Sequence, residues 1–196
     1  MELKNLLTEF QSNPDLVKRY IALCAEIVPR CIEYRTCDEG MCNANLFVLP
    51  KKRVTDSFQA FVLLLNYQLH FYEQWPLTET TLDNAEQIYN LWLLPEVKAY
   101  SYKEISSKDI HIQIDGIIKG FQALLTDSKM AEKIQANQEQ WGVFVNAHRA
   151  DDSSSLADFG IDEIISGVGF ELEWNAVELM YQTEYDYVYF SWATGA

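Results

Sequence analysis

Residues 174–192 read WNAVELMYQTEYDYVYFSW, and the fold class turns on whether this run is helical or extended. Trp174, Val177, Tyr181, Tyr185, Val188 and Trp192 recur at steps of three and four, the repeat of one face of an α-helix. The same run carries the aromatic residues that favour strands, most densely at 185–192. The repeat predicts a long closing helix over 170–192, with a strand as the alternative.

Working back from that run, Gly167 and Gly169 break the chain, and a short helix is expected near 156–165. Asp151 to Ser155 reads as a loop inside one domain. Met130, Ile134, Trp141 and Phe144 suggest a helix opened by Asp127 or Ser128. Ile110, Ile114, Ile117, Phe121, Leu124 and Leu125 hold helical spacing over 108–126, although IHIQID alternates like a strand at its start. Further helices fit 82–94, ending before Pro95, and about 56–74, capped by Thr55 and apolar almost all round. Leu46 to Leu49 is a possible short strand after a loop at 36–45. Asn13-Pro14 opens a helix whose apolar face runs Leu16, Tyr20, Cys24, Ile27 and Cys31, kinked or ended by Pro29. Leu3, Leu6, Leu7 and Phe10 mark a helix before it. The expected fold is all-α or helix-dominated α+β. It is a single domain over 1–196 of about eight helices, with the acidic, aromatic-rich region 151–196 packed on it.

The composition sets the class of protein. Its 196 residues are 48% hydrophobic and 13% aromatic, too apolar for disorder. The N-terminal segment has no apolar signal-peptide core, and the most apolar stretch, Phe58 to Leu65, is too short to span a bilayer. A cytoplasmic protein with no membrane contact is expected, with Cys24, Cys31, Cys37 and Cys42 as reduced thiols. Net charge is −14, which argues against direct nucleic-acid binding, since phosphate contact needs clustered Lys and Arg. The Lys51-Lys52-Arg53 run is too isolated to supply that surface.

The charge is unevenly placed. Residues 150–196 hold ten acids and no Lys or Arg. Asp151, Asp152, Asp158, Asp162, Glu163, Glu171 and Glu173 are interleaved with Trp174, Tyr181 and Tyr185, which together form the candidate partner-binding set. Such a surface suits a basic protein: opposite charge steers association, and Trp and Tyr supply the contact area. A solvated acidic face is the plainer alternative, because net charge bears first on solubility.

Signals for chemistry are sparse. Cys37 and Cys42 have zinc-ligand spacing but no second tight pair, and His148 with Asp151 and Asp152 is a polar cluster suited to acid–base work or a divalent metal. His70 and Glu73 share a helical face, yet no Glu lies three residues before any His, as a di-iron bundle requires. There is no phosphate loop, HExxH or GxSxG, and Gly167-Val168-Gly169 lacks the third glycine of a dinucleotide fingerprint. No catalytic residue, cofactor or metal is assigned. In size and composition alone the chain resembles the immunity proteins of bacterial toxin systems. That resemblance implies a non-catalytic inhibitor of a basic partner such as a toxin, nuclease or DNA-binding protein, and it transfers no site residues. The alternatives are an enzyme or metal protein using Cys37/Cys42 or His148/Asp151/Asp152, and a DNA mimic.

Overall fold

Eight strands make one antiparallel sheet in the computed structural model, which describes residues 3–36, 42–73, 82–137, 141–149 and 163–194. They are β1 (Arg30–Thr36), β2 (Cys42–Pro50), β3 (Lys103–Ile105), β4 (Gly142–Val145), β5 (His148–Arg149), β6 (Ser166–Leu172), β7 (Ala176–Gln182) and β8 (Asp186–Thr194). Their order across the sheet is β3-β6-β7-β8-β2-β1-β4-β5. The helices are α1 (Leu6–Ser12), α2 (Pro14–Ile21), α3 (Ser57–Glu73), α4 (Leu82–Ile88), α5 (Leu94–Ala99), α6 (Ser107–Thr126) and α7 (Ala131–Ala136). Among the described residues, no helix is long and apolar enough to cross a membrane.

Both faces of the sheet are covered. One core joins the helices α1 to α5 to Phe47, Leu49, Val168, Phe170, Met180 and Tyr189 of the sheet. The other lies under α6, where Ile110, Ile114, Ile118 and Phe121 meet Leu46, Leu179, Tyr181 and Phe190. α3 is apolar on every side because it is packed on every side: Phe58 meets Tyr20 of α2, and Phe61 meets both Phe10 of α1 and Phe170 of the sheet. Its N-terminus is held by Asp56, whose Oδ1 accepts from the backbone of Phe58 and Gln59 at 2.9 Å. α6 can come close because Gly167 has no side chain: a Cβ there would lie 2.2 Å from Ile110 Cδ1.

The all-α, eight-helix expectation is therefore overturned. The 174–192 run is β7 and β8, paired from Ala176↔Ala193 to Gln182↔Tyr187 around a turn at 183–185. The physical reason is burial on both faces. Tyr187, Val188, Tyr189 and Phe190 are all buried, so no polar position marks a period of two, and helical spacing can be picked from a continuous apolar run. Elsewhere α2 stops at Ile21, and Cys31 belongs to β1 rather than to a helical face. Part of the expected 36–45 loop is the start of β2. The expected 128–144 helix is the short α7 followed by β4. The helix from 82 runs past Pro95, which follows the π-helical stretch Tyr89–Leu93 at the start of α5. The expected helix near 156–165 and the Asp151–Ser155 loop fall largely or wholly outside the described residues.

The β4–β5 hairpin turns on Asn146 (φ 49°) and Ala147 (φ 65°). Asn146 belongs there, since its backbone N–H and side-chain Oδ1 pair with the backbone of Cys31 at 2.8 and 2.9 Å. An alanine in the left-handed region costs about 1 kcal/mol relative to glycine. Ala147→Gly is expected to stabilise the fold by about 0.5–1 kcal/mol, read as a higher urea midpoint at unchanged slope. An unchanged or lower midpoint would show that the turn is not strained.

Candidate functional site

The sheet divides the acidic residues between its two ends. Glu171, Glu173 and Trp174 lie at the β6–β7 turn, and Glu163, Glu184 and Tyr185 at the β7–β8 end. β7 runs between the two turns, and seven extended residues span roughly 20 Å. The two groups therefore form two surfaces. Trp174 and Tyr185 are the most exposed aromatics of their respective ends, at 76% and 65%. Tyr181 is fully buried beneath α6 and leaves the partner-binding set. Asp151, Asp152, Asp158 and Asp162 lie outside the described residues.

The β7–β8 end is electrically mixed, because Lys51 and Lys52 line its 410 Å³ hollow with Glu184, Tyr185 and Asp186. Lys51 is structural there: its ammonium donates to Thr183 O at 2.6 Å and lies over the Tyr187 ring. The Tyr185 phenol is raised above its ordinary pKa, first by its hydrogen bond to Glu184 and further by the charges of Glu184 and Glu163.

The β6–β7 end has a different character, and a β-bulge creates it. Gly169 pairs with Leu179 and Glu171 with Glu178, leaving Phe170 as an extra residue. Phe170 points into the helical core, and Glu171 faces the same side, in register with Glu178. The result is a 220 Å³ cleft lined by Glu96 of α5, Tyr100, Lys103, Phe170, Glu171 and Glu173. Tyr100 stacks on Phe170 (5.1 Å, 17°), and Phe170 stacks on Tyr189 (5.9 Å, 19°). Lys103 reaches Glu173 at 3.8 Å across an exposed gap, a pairing worth little.

Beneath this cleft Glu178 Oε2 accepts from the hydroxyls of Tyr100 and Tyr189, the latter at 2.7 Å, while the two phenol oxygens are themselves 2.7 Å apart. Gln68 of α3 donates to Oε1 at 3.1 Å. Burial raises the Glu178 pKa most strongly; the tyrosine hydrogen bonds oppose this, and the charges of Glu96 and Glu171 add to it. The tyrosines are raised well above their ordinary values by burial first. The phenols keep their protons at neutral pH, and the network ties α3, the segment after α5, β7 and β8 together under the cleft.

Of the residues considered for catalysis, Cys42 and His148 are described. Cys37, Asp151 and Asp152 fall outside the described residues, Cys42 opens β2, and His148 is exposed in the two-residue β5. Burial pushes the Cys24 thiol up to about 12 and raises that of Cys31 as well, the reverse of an activated nucleophile. Burial lowers the His70 pKa, and its ring packs against Tyr67. Among the described residues, no group of three or more His, Cys, Asp and Glu is placed to hold a metal ion. A 570 Å³ hollow near Cys31 is lined by charges of both signs, Arg30, Arg53, Glu33 and Asp186. The Arg53 guanidinium there is taken up by the carbonyls of Val28 and Glu26 at 3.1 and 2.9 Å.

Sequence reading reached Glu171, Glu173 and Trp174 through charge and aromatic content. It missed Glu96, Tyr100 and Phe170, which only the bulge and the packing of α5 bring to the same place. One available signal was Glu178, a lone acid inside the apolar run Val177–Tyr181. Comparison of the chain with protein-family models, with curated proteins and with solved structures gives no match.

Proposed function

We propose that the protein is a non-catalytic binding module for a basic protein partner, docked at the β6–β7 end of the sheet and acting as an inhibitor in the manner of an immunity protein. The observation that carries this reading is Trp174, 76% exposed at a turn that two paired strands hold rigid, with Glu173 and Glu171 beside it. A tryptophan in that position supplies a large contact area with few rotatable bonds, the property of an interface anchor. Flanking carboxylates raise the association rate of a cationic partner and make it salt-dependent.

The test uses two baits on one source-cell lysate: the wild-type protein and the Trp174→Ala/Glu171→Gln/Glu173→Gln variant. All three side chains are exposed, so the variant is expected to stay folded, as its unfolding midpoint will show. The expected result is one basic protein held stoichiometrically by the wild type, released by salt, and retained at least about tenfold less by the variant. Glu184→Gln, at the far end, is expected to leave its capture unchanged. Equal retention of the same proteins by both baits would overturn the docking surface.

A further inference from the structure

We infer that the 220 Å³ cleft between α5 and the β6–β7 hairpin receives a single arginine side chain of the basic partner, with the guanidinium against Tyr100 and between the carboxylates of Glu171 and Glu173. The inference rests on the binding-module reading and names the chemistry of its central contact.

Three features select this occupant. The size of the cleft admits one side chain, not a helix or a strand. Tyr100, backed by Phe170, stands at its inner wall while its rim is acidic, and a guanidinium suits both at once: it is planar, weakly hydrated, stacks on rings and forks onto carboxylates. Lysine, a compact and strongly hydrated charge, uses the aromatic wall less well. Finally, the bulge turns the exposed Glu171 carboxylate to the same face as Phe170, at the rim of the cleft. Among the described residues, no cation pairs with Glu171, and a bound guanidinium supplies that counter-charge. Lys103 stands at the same rim, loosely paired with Glu173, so an incoming arginine takes Glu173 from it.

The experiment titrates the isotope-labelled full chain with the peptide acetyl-Gly-Arg-Gly-amide at low salt, followed by amide chemical shifts. The controls are the same peptide with lysine or citrulline. The arginine peptide is expected to shift the amides of residues 99–103 and 170–174 in a saturable way, the lysine peptide to bind about threefold or more weakly, and the citrulline peptide not to bind. Glu171→Gln is expected to weaken arginine binding about three- to fivefold, and Lys103→Ala to strengthen it about two- to threefold, the scale of exposed ion pairs. Shifts that are absent, spread over the acidic surface, or produced equally by citrulline would overturn the inference, as would a Lys103→Ala variant that binds more weakly. The peptide result does not depend on the bait comparison. A cleft that takes no arginine sinks the inference even where Trp174 proves essential to capture. A partner retained equally by both baits sinks the docking surface even where the peptide binds.

Discussion

Phe170→Ala is expected to lower the unfolding free energy by about 3–5 kcal/mol, the largest effect of any single substitution argued from this structure. Phe170 is 1% exposed and joins the helical layer of α1 to α5 to the sheet. Its ring lies 5.2 Å from Phe61 of α3, 5.1 Å from Tyr100 after α5 and 5.9 Å from Tyr189 of β8. Truncation removes the aromatic contacts and leaves a cavity among side chains that cannot close over it, since each is fixed by its own element. It also leaves Tyr100 without the ring it stacks on, so arginine-peptide binding is weakened in any folded fraction. Leu124→Ala is the control: Leu124 is 43% exposed on α6, and its truncation is expected to change stability by no more than about 0.5 kcal/mol. Urea denaturation decides it. A loss below about 1 kcal/mol for Phe170→Ala would mean that this stack does not hold the helical layer to the sheet.

The position of Phe170 also shows where sequence reading succeeds and where it stops. α3 and α6 were legible. α3 is a continuous apolar run after a capping residue, and the true cap, Asp56, is one residue from the expected Thr55. α6 keeps Ile110, Ile114 and Phe121 on its buried face, and Ser106 caps it by accepting from Asp109 N. The central strands were not legible, because helices cover both faces and erase the alternation that marks a strand. A one-residue bulge at Phe170 has no sequence signature, yet it decides that Phe170 and Glu171 share a face. The acids and Trp174 of the β6–β7 turn could be read from composition. Their partners in the cleft come from α5 and the segment after it, some 70 residues earlier in the chain, and long-range packing of that kind leaves no local pattern.

The second large effect concerns Glu178. Three oxygens, those of Tyr100, Tyr189 and Glu178 Oε2, stand mutually within hydrogen-bonding distance, and two phenols supply only two protons for three contacts. Burial raises the Glu178 pKa above its ordinary value, while the hydrogen bonds that the two phenols donate to Oε2 oppose this. A carboxyl whose folded pKa is raised holds its proton more tightly in the folded state. The stability it contributes is therefore complete below the ordinary pKa and declines as pH rises through the folded value. Glu33, also raised by burial, adds a slope of the same sign. Glu178→Ala is expected to cost about 2–4 kcal/mol, because the two hydroxyls and Gln68 Nε2 lose their acceptor and only the phenols can still bond each other. Glu178→Gln keeps an acceptor for the tyrosines, and after rotation of the Gln68 amide its NH2 can donate to Gln68 Oε1, which has no partner in the native protein. The glutamine variant is therefore expected to lie within about 1 kcal/mol of the wild type near pH 4.5 and to gain on it steadily toward pH 8, leaving only the slope due to Glu33 and the remaining groups. Urea midpoints for the three proteins across that range test the argument. A wild-type minus glutamine difference that does not change with pH would show that Glu178 is ionised throughout, and a glutamine variant as unstable as the alanine one would show that the network needs the carboxylate itself.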